Sequence, residues 1–296
     1  MKILLLGNTG QLGWELNRTL LTLGELTALD YPQINMAYPG SLKTTIKEYK
    51  PNLIINATAY TDVDKAESEP EKAMAINATS PGVLAEEALK SGAALIHYST
   101  DYVFDGSKGE AYTEEDEPNP INMYGLSKLR GEQAVQQVGG ANLILRTAWV
   151  YSLRRPCFVT KVLEWAKTQK VLRIVDDQVS SPTWARMLAE ATALVIAQGR
   201  REPVDYIKKK TGLYHLAGAG AASRYDWAKE ILRYNPKMEE PMTLEIQRAS
   251  TSEFPTPVRR PLFSALNCDH FTANFGISTP PWEMSLRMAM ERSGWN

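Results

Sequence analysis

The sequence feature that most constrains the fold is a glycine-rich turn that directly follows a short apolar run at the start of the chain. Lys2 to Leu6 is a mostly apolar segment, typical of a strand buried on both faces of a parallel sheet. The turn then runs from Gly7 to Gly13 with the spacing G-x-x-G-x-x-G, and a helical pattern of apolar residues begins at Trp14. Glycines here let a pyrophosphate approach the free N–H groups of a helix N-terminus. The strand, turn and helix therefore predict a dinucleotide-binding unit.

Apolar strands and amphipathic helices alternate along the first half of the chain. Strands are predicted at residues 25–30, 53–57, 93–98 and 143–146, and helices at residues 42–49, 73–90 and 124–138. This alternation predicts an α/β fold, a doubly wound, Rossmann-like parallel sheet. A helix at residues 184–198 and a strand at residues 213–216 are expected to return to that sheet.

The pattern is less regular in the remainder of the chain, which predicts a second, smaller domain. Helices at residues 225–234 and 281–292 flank a loop that contains three prolines. We expect a C-terminal substrate-binding domain that closes over the carboxyl edge of the sheet. The predicted boundaries are residues 1–148 and 184–218 for the dinucleotide-binding domain, and residues 149–183 and 219–296 for the substrate-binding domain.

An aspartate at the end of the second predicted strand bears on the choice of cofactor. Asp30 follows the glycine turn close to where an acidic side chain accepts hydrogen bonds from the adenosine ribose. A carboxylate there repels a 2′-phosphate and favours NADH. The alternative is an aspartate that merely ends a strand before Pro32. Arg18 on the first helix is a candidate to attract a 2′-phosphate, so NADH and NADPH both stay open.

A tyrosine and a lysine on one predicted helix are the candidate catalytic groups. Tyr124 and Lys128 lie one turn apart on the same face, so the ammonium is expected to favour the phenolate form and lower the pKa of the phenol. A phenol tuned in this way donates a proton to a carbonyl oxygen as hydride arrives at the carbon. Thr100, near the end of a predicted strand, is placed to share that oxygen. The alternative is a surface tyrosine beside a solvated lysine, because the spacing also arises by chance.

The charge and composition argue against several classes of protein. The formal net charge of −1 is unlike that of a generally basic nucleic-acid binder, and no apolar run approaches the ~20 residues needed to cross a bilayer. The apolar start is too short for a signal peptide because Gly7 ends it. Two cysteines and three scattered histidines form neither a disulfide framework nor a metal site. We therefore expect a cytoplasmic protein without nucleic-acid or membrane partners, and these residues do not indicate a metal.

Several longer motifs carry a resemblance to a known superfamily. Besides the glycine turn, they are Asn56-Ala57-Thr58-Ala59-Tyr60-Thr61-x-Val63-Asp64-x-Ala66-Glu67, Ser99-Thr100-Asp101-Tyr102-Val103-Phe104-Asp105-Gly106, Tyr124-Gly125-x-Ser127-Lys128, Arg146-Thr147-x-Trp149-Val150-Tyr151, Asp177-Gln178, Ser181-Pro182-Thr183 and Arg260-Pro261-x-x-Ser264-x-Leu266. Over essentially the whole chain, these motifs resemble the extended short-chain dehydrogenase/reductases, and within them the reductases of dTDP-4-dehydro sugars. The resemblance implies reduction of the C4 ketone of dTDP-4-dehydro-L-rhamnose to dTDP-L-rhamnose by NADPH or NADH.

The resemblance also implies residue roles. Catalysis is assigned to Tyr124, Lys128 and Thr100. The implied cofactor-binding residues are Gly7, Gly10, Gln11, Leu12, Gly13, Asp30, Asn35, Met36, Ala59, Tyr60, Thr61, Tyr98, Tyr124 and Lys128. The implied contacts of the dTDP-sugar are Thr100, Asp101 and Trp149. Arg260 is a further candidate because a guanidinium fork suits diphosphate oxygens, and a structural ion pair is its alternative.

Two segments depart from the family pattern. Ser152-Leu153-Arg154-Arg155-Pro156 replaces the usual glycine-rich turn and introduces two arginines. Asn35 and Met36 stand where the family often has an acidic-apolar pair near the adenine. The resemblance leaves a homodimer open, since the family includes monomers and dimers, some linked by Mg, and no carboxylate cluster in this sequence demands that metal.

Two other functions share these motifs. One is a sugar-nucleotide 4,6-dehydratase or 4-epimerase. Dehydratases place an acid directly after Thr-Asp, and Tyr102 at that position argues against elimination. The other is a non-catalytic subunit, such as the regulatory β subunit of methionine adenosyltransferase. The complete set of Thr100, Tyr124 and Lys128 favours retained chemistry.

Overall fold

The structure, a computed structural model, describes residues 1–234 and 245–291. Its strands are β1 (Lys2–Leu6), β2 (Glu25–Leu29), β3 (Leu53–Asn56), β4 (Ala94–Thr100), β5 (Asn142–Thr147), β6 (Val150–Tyr151), β7 (Val171–Val175), β8 (Val179–Ser180), β9 (Thr183–Trp184), β10 (Gly212–His215), β11 (Ala222–Ser223) and β12 (Glu245–Ala249). Its α-helices are α1 (Gln11–Thr19), α2 (Gly40–Tyr49), α3 (Val63–Ser68), α4 (Pro70–Met74), α5 (Ser80–Ser91), α6 (Met123–Val138), α7 (Phe158–Thr168), α8 (Ala185–Gln198), α9 (Pro203–Lys209), α10 (Arg224–Arg233), α11 (Asp269–Phe275) and α12 (Trp282–Glu291).

Six parallel strands form the central sheet, in the order β2-β1-β3-β4-β5-β10. The predicted doubly wound sheet is therefore confirmed, including a late strand that returns to it as β10. The strand order reverses between β1 and β3, which are hydrogen-bonded neighbours. In open α/β sheets, ligands bind at the carboxyl ends of the strands beside such a reversal.

Both faces of the sheet are covered, which explains why its strands are almost uniformly apolar. Ile3 and Leu5 of β1 pack into a core that includes residues of α1, α8 and α11. Leu4 and Leu6 pack into a second core with residues of α2, α5 and α6. Each buried leucine or isoleucine contributes roughly 1.5–3 kcal/mol relative to an exposed one.

A third core lies outside the central sheet and joins residues from β6 to α12. It is centred on the buried Trp227, against which Tyr151, Phe158 and Trp149 pack. The two predicted C-terminal helices are present as α10 and α12; Arg292, the last residue predicted for the second, lies outside the described residues. Helix α11 packs instead on the core of the sheet, and the division into two domains stays a prediction.

Candidate functional site

The glycine turn between β1 and α1 is shaped by close backbone packing. Gly7 has φ of +90°, a conformation that glycine adopts without strain. A Cβ atom on Gly13 would overlap the carbonyl oxygen of Gly7. Gly10 donates its N–H to that same oxygen at 3.1 Å. Glycine at positions 7 and 13 is therefore required by the turn itself.

A cleft of about 750 Å³ opens at this turn, beside the point where the strand order reverses. Its size is within the range of about 300–1,000 Å³ that is usual for ligand sites. It brings together thirteen of the residues expected at the site: Gly7, Gly10, Gln11, Leu12, Asp30, Ala59, Thr61, Tyr98, Thr100, Asp101, Tyr124, Lys128 and Trp149. The cleft therefore joins the glycine turn to the candidate catalytic groups.

Five expected residues do not line this cleft. Gly13 supports the turn from behind, and Met36 is buried in the core. The side chain of Asn35 accepts the N–H of Ala37 at 3.0 Å. Tyr60 donates its hydroxyl to Glu69 at 3.1 Å, and Arg260 lines a neighbouring cavity. The roles expected for these residues stay predictions.

Asp101 is a buried carboxylate that three hydroxyl groups surround. It accepts hydrogen bonds from Thr100 (3.1 Å), Ser180 (2.9 Å) and Ser264 (2.6 Å). Burial raises the pKa of Asp101, and these donors oppose the rise. Ser180 and Ser264 lie 79 and 163 positions from Asp101 along the chain, so Asp101 connects the end of β4 to two distant segments.

Asp101 also engages the hydroxyl of Thr100, which lines the cleft together with Tyr124. The hydroxyl of Thr100 gives its proton to Asp101 and accepts the backbone N–H of Tyr102 at 3.3 Å. Tyr124 lines the same cleft as Thr100. Burial raises the pKa of Tyr124, so the phenol retains its proton.

Lys128 is oriented by a hydrogen bond to the backbone of β4. Its Nζ donates to the carbonyl oxygen of Tyr98 at 2.6 Å. The expectation that its ammonium favours the phenolate of Tyr124 stays a prediction. Only 2% of Lys128 is exposed, and this burial lowers the pKa of its ammonium to about 8, while Glu132 opposes the shift. Helical spacing correctly predicted a shared face but not the hydrogen bond that orients the amine.

This lowered pKa predicts how Lys128 affects stability as the pH changes. Between about pH 8 and 10.5, the unfolded chain keeps the proton that the folded protein has lost, so the free energy of unfolding rises with pH. The expected rise is about 3 kcal/mol, because each pH unit corresponds to about 1.4 kcal/mol. Urea denaturation at about pH 7 and 10.5 gives the free energy of unfolding of the wild type and of Lys128→Met. The difference in this free energy between the two proteins should change between the two pH values by the contribution of Lys128. A difference that does not depend on pH would contradict a buried ammonium.

A second cavity, of about 720 Å³, combines cationic and aromatic side chains. Its lining includes Lys161, Arg173, Arg224, Arg260, Phe158 and Trp165. Arg224, which lines this cavity, places its guanidinium 3.5 Å from the ring centroid of Trp149, which lines the first. Burial lowers the pKa of Arg224 to about 10, which leaves it cationic at neutral pH. Arg260 forms an ion pair with Asp64 at 2.7 Å and still faces this cavity.

Sequence reasoning missed Arg224 and Phe158. Neither belongs to a motif, and both are brought to Trp149 only by packing around Trp227.

Within the described ranges, no helix is both long and apolar enough to cross a membrane. The same part of the chain has no group of three or more His, Cys, Asp or Glu residues arranged to hold a metal ion.

Comparisons with known proteins agree with this architecture along the whole chain. A family model described as "RmlD substrate binding domain" matches residues 1–294. A dTDP-4-dehydrorhamnose reductase of Escherichia coli K12 is 40% identical over 292 residues, which are 97% of this chain and 96% of the relative.

Solved structures give the same result. A dTDP-4-dehydrorhamnose reductase from Clostridium acetobutylicum superposes with a TM-score of 0.90 at 35% identity and 99% coverage of both chains. Another, from Bacillus anthracis in complex with NADP, superposes with a TM-score of 0.87 at 30% identity, covering 98% of this chain and 99% of that one. The chain therefore belongs to the dTDP-4-dehydrorhamnose reductase family.

Proposed function

We propose that this protein reduces the C4 ketone of dTDP-4-dehydro-L-rhamnose to dTDP-L-rhamnose with a reduced nicotinamide cofactor, NADPH or NADH. The observation that carries the proposal is the convergence of Tyr124, Thr100 and Lys128 in the cleft that the glycine turn opens. The names of the family's relatives and the NADP bound to the Bacillus anthracis enzyme support the same reaction.

The cleft suits a dinucleotide. The backbone of the turn is accessible because Gly7 and Gly10 carry no side chain, and the N-terminus of α1 points its free N–H groups at the same place. Asp30 lines the far part of the cleft, where the adenosine ribose would lie. Bound there, the reduced nicotinamide supplies the hydride that reduces the ketone.

The protein's own groups supply the proton and orient the ketone. Tyr124 donates its phenolic proton to the oxygen at C4 as that oxygen becomes an alkoxide, and burial, which raises its pKa, keeps that proton on the phenol until the transfer. Thr100, whose hydroxyl donates to Asp101, lines the same cleft. Lys128 directs one N–H at Tyr98 and has two further N–H donors for the ribose hydroxyls.

The second cavity suits the nucleoside diphosphate of the substrate. Arg224 and Arg260 provide guanidinium groups for the diphosphate. Phe158 and Trp165 provide aromatic surfaces for the base. Since Trp149 stacks on Arg224 and also lines the cofactor cleft, the sugar is expected between the two cavities, beside Tyr124.

We also retain the domain division, with residues 1–148 and 184–218 binding the dinucleotide and residues 149–183 and 219–296 binding the substrate. The third core, built from β6, α7, α10 and α12, supports a separate substrate-binding unit. Helix α11, which the second range includes, packs on the core of the sheet.

An absorbance assay at 340 nm tests the function. The purified protein should oxidise NADPH or NADH only when dTDP-4-dehydro-L-rhamnose is added, with dTDP-L-rhamnose as the product. Redox-neutral conversion of a dTDP-sugar, without net cofactor oxidation, would instead indicate an epimerase or dehydratase. Cofactor binding without turnover of the keto sugar would indicate a non-catalytic subunit.

A further inference from the structure

The arginine-bearing segment of residues 152–156, here called the strap, is attached to the glycine turn. The side-chain oxygen of Gln11 accepts the N–H of Ser152 at 2.7 Å, and its Nε2 donates to the carbonyl oxygen of Val150 at 3.4 Å. Arg155 then donates one guanidinium N–H to the carbonyl oxygen of Thr9 at 2.9 Å. The strap therefore presents Arg155 at the rim of the cofactor cleft, which it lines.

Thr9 connects this arginine to the carboxylate expected at the adenosine ribose. The backbone N–H of Thr9 and its hydroxyl both donate to one oxygen of Asp30, at 3.0 and 2.6 Å. The carbonyl group of the same residue accepts the bond from Arg155. At the ribose end of the cleft, the carboxylate of Asp30 and the guanidinium of Arg155 therefore bind the same turn residue, Thr9.

The charge of Arg155 is available to a ligand. Its side chain is exposed. A guanidinium has five N–H donors, and the hydrogen bond to Thr9 uses one of them. Among the residues that the structure describes, no carboxylate forms an ion pair with it. Arg154 differs, because its guanidinium lies 3.3 Å from the ring centroid of Trp14.

Arg18, the residue expected from the sequence to attract a 2′-phosphate, also contacts Trp14. Its guanidinium carbon lies 4.6 Å from the ring centroid. Neither Arg18 nor Arg154 lines the cleft, whereas Arg155 does. Arg155 is therefore the arginine best placed to reach a phosphate on the adenosine ribose.

We propose that Arg155 is a specificity-determining residue that binds the 2′-phosphate of NADPH and offsets the repulsion from Asp30. The inference rests on the proposed function, since it requires a dinucleotide in the cleft. A guanidinium matches phosphate oxygens by charge and by its forked donors. NADH has hydroxyl groups at this position and gains little from the same arginine.

Calorimetric titration of the full-length protein with NADPH and with NADH tests the inference by binding alone. Arg155→Gln removes the charge but keeps an amide that can donate to Thr9. The dissociation constant for NADPH should rise roughly 10- to 100-fold, while that for NADH changes less than about threefold. Arg154→Gln is the matched control from the same strap and should leave both constants within about threefold. If Arg155→Gln does not fold, Arg155→Lys, which keeps the charge but loses the fork, should weaken NADPH binding selectively by a smaller factor.

The outcomes separate the inference from the proposed function. Equal weakening of both cofactors, or no change in either, would overturn the role of Arg155 while leaving the reductase function intact. A wild-type protein that binds neither dinucleotide would overturn both. Selective loss of NADPH affinity, confined to the Arg155 variants, supports the assignment.

Discussion

Replacing Tyr124 by phenylalanine is expected to lower kcat for reduction of the keto sugar by roughly 10²- to 10⁴-fold, the usual contribution of a positioned general acid. The phenol lines the catalytic cleft, and burial raises its pKa and so keeps it protonated. The substitution removes the hydroxyl group that carries this proton and changes the side-chain volume little. Cofactor affinity, measured by titration, should change by less than about threefold because the glycine turn is untouched.

Tyr151→Phe is the matched control for this substitution. Tyr151 is also buried, and its hydroxyl has no hydrogen-bond partner among the described residues. Removing that hydroxyl should leave kcat within about threefold. Undiminished turnover in Tyr124→Phe would assign the proton to another group.

The second large effect is expected in the free energy of unfolding. It concerns a buried ion pair between α6 and the sheet. Arg146 of β5 makes two hydrogen bonds, at 2.9 and 2.7 Å, to the carboxylate of Glu132. The two side chains are only 3% and 1% exposed. Glu132→Ala leaves the guanidinium buried without its counter-charge, and should lower the free energy of unfolding by about 3–5 kcal/mol in urea denaturation.

A double variant separates the buried charge from lost packing. Glu132→Leu combined with Arg146→Met removes both charges and keeps most of the volume, and it should recover most of the stability lost in Glu132→Ala. A loss below about 1 kcal/mol in Glu132→Ala would mean that the pair is not effectively buried. The pair matters for the site because Lys128 lies one helical turn from Glu132 on the same helix.

The sheet was predictable because each of its strands is an apolar run that ends at a turn, and such runs need two covered faces. The convergence of Thr100, Tyr124 and Lys128 was also accessible, since helical spacing and strand ends place side chains on a common edge. The direction in which each side chain points was harder to predict from the sequence. Lys128 points at the carbonyl group of Tyr98, and Tyr60 points at Glu69, because local hydrogen bonds decide where a side chain turns.

The contributions of Arg155 and Arg224 arise from contacts between distant parts of the chain. Arg155 and Thr9 are 146 positions apart, and no local pattern predicts such a pair. Arg224 reaches Trp149 because both pack on Trp227 in the third core. Such contacts depend on how the segments pack against the sheet, which periodicity does not specify.

The most direct test of the central claim is an isotope-transfer measurement. The protein is given dTDP-4-dehydro-L-rhamnose and a cofactor that carries deuterium in its transferable C4 position, and the product is examined by NMR. The account predicts deuterium at C4 of dTDP-L-rhamnose in the wild type, formed far more slowly by Tyr124→Phe. Product without deuterium at C4, or equally rapid transfer in Tyr124→Phe, would contradict it.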